Sequence, residues 1–250
     1  MILPFPLMLY GLAVVLAAGL VRGYSGFGAS MIIVLGLSLI LPASRIVPAV
    51  LLLEIIASAY LLPAVFKQVD WRSLRILLVG VVLGTPLGVY VLANLPDRWM
   101  RVAIAVLVIM LVPLLWKGVS WKREPGLLPT LSTGLVSGIT NGSAAIGGPP
   151  VVLFYLSSPK GATISRASLI AFFLVTDIIA AIACAWSGLL SFETVQLSAS
   201  LLIPLLIGLV LGARSFFKTD VNLFRKRVLA LLLVMALVTL GQSIQALSSN

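Results

Sequence analysis

The chain has 250 residues, 61% of them hydrophobic and 10% charged, with a mean hydropathy of +1.20 and a formal net charge of +10. Soluble domains carry about 25% charged residues, so this composition excludes a soluble domain and makes the lipid bilayer the partner of most of its surface. With no histidine and a single cysteine, Cys184, an intrachain disulfide, a thiol relay, haem ligation and most metal sites are excluded, and no cofactor is expected.

A helix needs about 20 apolar residues to cross a bilayer. The first apolar run, Pro4 to Val21, leads into Gly19-Leu-Val-Arg-Gly-Tyr-Ser-Gly-Phe-Gly28, after which an apolar segment resumes from Ala29 to Leu41. The N-terminal run from Leu3 to Leu20 has neither a basic leader nor a small-residue cleavage site followed by a polar chain, so it reads as a structural helix and not a signal peptide. Full crossings are expected at Ile46 to Phe66, Leu74 to Asn94 and Trp99 to Trp116. After a linker, Gly118 to Gly126, an apolar arm from Leu127 to Ile139 runs into a second interruption. This is Gly134-Leu-Val-Ser-Gly-Ile-Thr-Asn-Gly-Ser-Ala-Ala-Ile-Gly-Gly-Pro-Pro150, followed by a short arm, Pro149 to Leu156. Crossings at Arg166 to Trp186, Thr194 to Phe217 and Arg225 to Ala246 complete the chain. No run alternates with period two, which excludes a barrel. The expected fold is an all-α polytopic membrane protein.

The two halves resemble each other. Leu77 to Gly88 lies over Leu201 to Gly212, with Gly84 on Gly208 and Gly88 on Gly212, and the shared Gly-x-x-x-Gly would let helices approach closely. Ser44-Arg45 parallels Ser165-Arg166, and Arg101-Val102 parallels Arg227-Val228. Residues 1–117 and 127–250 are therefore expected to be a first and a second transmembrane repeat, joined by a cytoplasmic linker at 118–126.

Each glycine-rich interruption could be one broken crossing or a re-entrant hairpin of two arms. With hairpins, Lys67, Arg72, Arg75, Lys117, Lys122, Arg123, Lys160, Arg166, Arg214, Lys218, Arg225, Lys226 and Arg227 fall on one side, and only Arg45, Arg98 and Arg101 on the other. Single crossings give a far weaker asymmetry, so the positive-inside rule favours hairpins. The same rule accounts for the basic charge without a nucleic acid. Each half then holds five helical segments, and an odd number inverts the second copy. The expectation is a multi-pass protein of the cell (inner) membrane with both termini outside the cytoplasm. Trp71, Trp99, Trp116, Trp121 and Trp186 sit at or beyond the ends of these segments, where amphipathic rings prefer the interface.

A helix that begins inside a membrane leaves its first N–H groups unpaired and its positive dipole end facing a cavity, which makes an anion site from backbone. Gly26 and Gly28 precede the arm from Ala29, and Gly147, Gly148 and Pro149 precede the arm near Pro150. Tyr24, Ser25, Ser30, Thr140, Asn141, Gly142 and Ser143 complete the expected binding segments, their hydroxyls and amide being neutral donors for sulfonate or carboxylate oxygens. Arg22 either faces this anion or pairs with a buried carboxylate, since a guanidinium at mid-depth needs one or the other. Glu54 and Asp177, at near-equivalent places in the two halves, read as coupling or counter-charge residues, or as protonated carboxyls bonded to a broken helix end. Asp70, Asp97, Glu124, Glu193 and Asp220 read as solvated loop acids. Gly23-Tyr24-Ser25-Gly26 fits the serine nucleophile motif of rhomboid-type intramembrane proteases, but the chain lacks the histidine base and has no lysine in a helix interior.

Gly147-Gly-Pro-Pro-Val-Val-Leu-Phe-Tyr-Leu156 following Gly134-Leu-Val-Ser-Gly138, with the duplicated start at Gly19 to Gly28, resembles the TauE/SafE family of sulfite exporters and sulfonate permeases. The resemblance spans nearly the whole chain as a two-repeat layout. The first half departs from the family's glycine pair, reading Gly26-Phe27-Gly28-Ala29-Ser30. The resemblance implies passage of small organosulfur anions such as sulfite, sulfoacetate, taurine or isethionate across the cytoplasmic membrane. No nucleotide-binding motif is present, so a transporter would couple to protons, sodium or the substrate gradient. An anion channel and a membrane scaffold are the alternatives.

Overall fold

The computed structural model describes residues 5–117, 125–156, 160–215, 230 and 233–242. Among these residues every regular element is a helix. The chain runs through α1 (Phe5–Ser25), α2 (Ala29–Leu37), α3 (Ala43–Val65), α4 (Trp71–Asn94), α5 (Asp97–Lys117), α6 (Leu127–Ala144), α7 (Gly148–Leu156), α8 (Ala162–Trp186) and α9 (Phe192–Ser215). A further apolar helix, α10, covers Leu233–Gln242. Four helices are long and apolar enough to cross a membrane: Ala43–Gln68, Trp71–Asn94, Thr163–Trp186 and Phe192–Arg214. The expected crossing at Trp99 to Trp116 forms α5 but is not among these four. Much of the last expected crossing, Arg225 to Ala246, lies outside the described residues, as do most of the linker and the side chains of Trp116 and Trp121.

Both interruptions break the helix, but later than expected: α1 runs past Val21 to Ser25 and α6 past Ile139 to Ala144, so Arg22, Tyr24, Thr140, Asn141 and Ser143 lie in helix. After α1, Gly26 (φ 80°) and Gly28 (φ 92°) adopt left-handed backbone, a conformation in which a Cβ would be strained, and Ala29 restarts the helix. After α6 the turn is made by Ala145 (φ 53°), whose N–H reaches back to the Asn141 carbonyl. Residues from the two sides of each break also come near one another. The Tyr10 hydroxyl, near the start of α1, donates to the Gly36 carbonyl near the end of α2 at 3.1 Å. Gly126 at the start of α6 and Lys160 beyond α7 line one cavity of about 420 Å³, together with Asp70 and Ser73 at the start of α4.

Glycines set the helix pairing. A Cβ on Gly80, Gly84 or Gly88 of α4 would lie 2.2–2.3 Å from the Leu131, Leu135 or Ile139 carbonyl oxygen of α6, and one on Gly134 or Gly138 of α6 would strike Leu77 or Val81 of α4. The same device joins α1 to α9, where Gly19 and Gly23 face the Leu205 and Leu209 carbonyls, and Gly208 and Gly212 face Leu16 and Leu20. Backbones this close gain dispersion contacts that no larger residue would allow. Inside this frame α3 packs on α8. Two ion pairs lie at opposite ends of α3: Arg45 in its first turn to Glu193 in the first turn of α9 at 3.4 Å, and Asp70 to Lys160 at 2.5 Å beyond its end.

Asp70 is not a solvated loop acid. It caps α4 by accepting from the Ser73 N–H and hydroxyl, and it pairs with Lys160 in a half-buried setting. Burial alone would push its carboxyl up, but the bonds from Lys160 and Ser73 outweigh burial and hold it below the ordinary carboxylate range. Glu193 is exposed and paired with Arg45, and Asp97 lies in the first turn of α5, where a negative charge suits the helix dipole. Glu124 and Asp220 lie outside the described residues.

Candidate functional site

The two helix breaks converge on the middles of α3 and α8. Arg22, three residues before the end of α1, forms an ion pair with Glu54, the central residue of α3, and donates to the Ser58 hydroxyl one turn on at 2.5 Å. Arg22 and Glu54 are only 1% and 3% exposed. Glu54 also receives the backbone N–H of Ser30, in the first turn of α2. An amide at the start of α2 is thus aimed at an anion, as a helix N-terminus should be, and that anion is the Glu54 carboxylate.

The second break builds a parallel arrangement with neutral partners. The Asn141 side-chain amide donates to Asp177 Oδ1 at 2.9 Å, and its Oδ1 accepts the Gly147 N–H at 3.2 Å. The Ser137 hydroxyl donates to the Gly147 carbonyl. One asparagine therefore fixes both the buried carboxyl and the chain entering α7. Pro149 and Pro150 bring no N–H to the first turn of α7, which thins its donors relative to α2.

Phe173 joins the two breaks. The Arg22 guanidinium lies over its ring, 5.1 Å from the centroid, a cation–π geometry. A Cβ on Gly148 would come within 3.2 Å of the same ring. Phe173 is one turn before Asp177 on α8, so both share a face. Two turns before Phe173, Arg166 donates to the Gly23 carbonyl at 3.2 Å, and its side chain covers Gly26. Asp177 lies within electrostatic reach of both Glu54 and Arg22, which makes Arg22, Glu54 and Asp177 one buried cluster.

Of the residues expected at the site, the structure brings together Arg22, Ser30, Glu54, Asn141, Gly147, Gly148 and Asp177. Tyr24, Gly26, Gly28 and Pro149 are buried beside them, while Ser25 ends α1. Gly142 faces away, against Thr85 and Val89 of α4, and serves helix packing. The Thr140 and Ser143 hydroxyls donate to carbonyls of their own helix, which occupies them locally. Ser58 and Phe173 carried no signal of their own beyond their one-turn spacing from Glu54 and Asp177. Among the described residues no cluster of histidine, cysteine, aspartate and glutamate could hold a metal ion.

The sequence matches the family described as Sulfite exporter TauE/SafE over residues 11–239. The chain belongs to the TauE/SafE family. It is similar to the probable sulfite/organosulfonate exporter TauE of Cupriavidus necator, with 28% identity over 224 residues, covering 84% of each chain. No solved structure matches the chain. TauE/SafE proteins are membrane exporters and not enzymes.

Proposed function

We propose that this TauE/SafE protein is a secondary transporter that moves small organosulfur anions, sulfite and sulfonates, across the cytoplasmic membrane by alternating access. The observation that carries the reading is the meeting of both helix breaks around one buried cation, Arg22, at the centre of α3 and α8. Glu54 is the eleventh residue after Ala43, about 16 Å along its helix at 1.5 Å per residue, which is half of a hydrocarbon core about 30 Å thick. An anion site at mid-depth between two breaks is where transporters built from inverted repeats bind substrate.

The helix pairing supports an inverted duplication over 1–117 and 127–250. The fourth helix of each half packs on the first of the other, α4 on α6 and α9 on α1, while the third helices, α3 and α8, meet each other. A two-fold relation between the halves produces this pattern, and an axis in the membrane plane is the one that suits an odd number of segments per half. The contacts from Tyr10 to Gly36, and around the cavity that Gly126 and Lys160 share, favour re-entrant hairpins. The basic residues around Asp70 would then face the cytoplasm and Arg45 the exterior. Substrate would enter along the Tyr24 to Ser30 and Thr140 to Pro150 segments.

Purified protein in liposomes tests the reading. Saturable uptake of labelled sulfite or isethionate, accelerated by unlabelled anion on the far side, is expected of a transporter. Unsaturated, voltage-driven flux would instead identify a channel, and no flux of any such anion would identify a scaffold.

A further inference from the structure

We propose that Glu54 and Asp177 together form a proton-binding site linked to anion binding at Arg22, with one proton entering for each monovalent anion. The inference rests on the transport reading above and assigns its coupling ion. The starting point is charge balance in a buried place. Arg22, Glu54 and Asp177 are all at most 3% exposed, and an unbalanced charge there is costly. One guanidinium and two carboxyls balance with one proton.

The hydrogen bonds show where the slack lies. Arg22 Nε, Glu54 Oε1 and Asp177 Oδ2 have no hydrogen-bond partner although all three are buried. A proton on either carboxyl would turn an unpartnered oxygen into a donor. The elements packed around Asp177 offer few other charges. Arg22 of α1 and Glu54 of α3 act on it, and α6 presents neutral Asn141. On α3, Arg45 pairs with Glu193 at the start of α9. On α4, Arg72 and Arg75 lie in the first turns and Tyr90 is exposed. Tyr155 of α7 meets Ser73 at the far end of α8, Lys67 lies in the exposed turn after α3, and Cys184 is buried two turns along α8.

An incoming anion must compete with Glu54 for Arg22, because both offer oxygens to the same guanidinium. The displaced carboxylate would be a second unbalanced charge unless it takes a proton. The resting cluster balances with one proton and the anion-bound cluster with two. Each monoanion therefore brings one proton from its own side, and the cycle moves no net charge. The carboxyls share these protons as a pair.

The probe is isethionate, whose sulfonate stays ionised across the whole pH range, or sulfite corrected for its own buffering if only sulfite is carried. In liposomes enclosing a pH dye, an anion gradient should drive proton movement in the same direction at a ratio of one to one. Over the range in which the resting pair holds one proton and the anion-bound pair two, apparent affinity should fall about ten-fold per pH unit. Glu54→Gln or Asp177→Asn alone leaves one carboxyl, so coupling survives; any anion flux that the double variant retains should show no proton movement and a flat pH profile. Anion flux without proton movement in the unaltered protein would overturn this inference and leave the transport reading standing. Proton-coupled flux that persists in the double variant would overturn the assignment to these residues. No flux of sulfite or isethionate would overturn the transport reading itself.

Discussion

Arg22 is held by three kinds of contact, an ion pair, a hydrogen bond and an aromatic face, from two helices other than its own. Removing one partner of a buried pair leaves the other charge uncompensated, at about 3–5 kcal/mol. Arg22→Ala is expected to destabilise the protein by that amount, and Arg22→Ala with Glu54→Gln to recover much of it, as read by thermal unfolding in detergent. A residue with an empty anion site and no structural partner would show neither effect. Asp70 makes a smaller, pH-dependent contribution. Its carboxyl is held low in the folded state, so its stabilisation is complete above the unfolded value of about 3.9 and fades as the pH falls through the lowered folded value. Asp70→Asn should cost about 1 kcal/mol at neutral pH, since the pair is partly exposed, and the difference from the unaltered protein should vanish on acidification. Arg22 and Glu54 were each legible in the sequence as costly charges in apolar runs. Their pairing was one of the alternatives the sequence left open, a substrate anion or a buried carboxylate for Arg22, and only the packed fold selects Glu54. Phe173 was invisible for a different reason: a phenylalanine in an apolar helix is the expected residue, whatever it touches.

At the level of elements, glycine placement decides which helices touch. The Gly84 Cα lies so close to α6 that an added methyl would overlap the Leu135 carbonyl at 2.2 Å, and backbone cannot swing aside as a side-chain tip can. Gly84→Ala and Gly208→Ala should each cost about 1–3 kcal/mol through forced separation of their helix pairs. Gly126→Ala is the control, because a Cβ there meets nothing within 4 Å and its φ of −69° suits any residue. Equal stability of Gly84→Ala and Gly126→Ala would defeat the packing argument. The sequence displayed the repeated Gly-x-x-x-Gly and the places where helices break, since both are local patterns, though α1 and α6 run on to Ser25 and Ala144, past the expected ends at Val21 and Ile139. It did not display the crosswise pairing of α4 with α6 and α9 with α1. A small-residue stripe says that a helix has a close neighbour, and only the packed fold says which one. Gly142 shows the same limit, since its place in a glycine-rich interruption resembled a ligand position while its surface belongs to α4.

For the whole molecule, the two ion pairs provide a way to test sidedness without a substrate. Arg45 with Glu193 and Asp70 with Lys160 lie toward opposite ends of α3. In the proposed topology the first pair is exterior, the second cytoplasmic, and the start of α6 at Gly126 shares the cytoplasmic cavity with Lys160. Cys184 is buried in α8, and its replacement by alanine provides a background for single cysteines. Glu193→Cys is exposed and should react with a membrane-impermeant maleimide applied to intact cells. Gly126→Cys, also on an exposed residue, should react only after the membrane is opened. The pair of sites discriminates among topologies because they depend on different segments. A single crossing by α6 and α7 would put Gly126 and Lys160 on opposite faces and would protect Glu193→Cys as well as Gly126→Cys. Labelling of Gly126→Cys from outside, with Glu193→Cys protected, would invert the whole arrangement. Labelling of both from outside would break the re-entrant path of the second half, and with it the mid-depth meeting of the two helix breaks from which the transport reading was drawn.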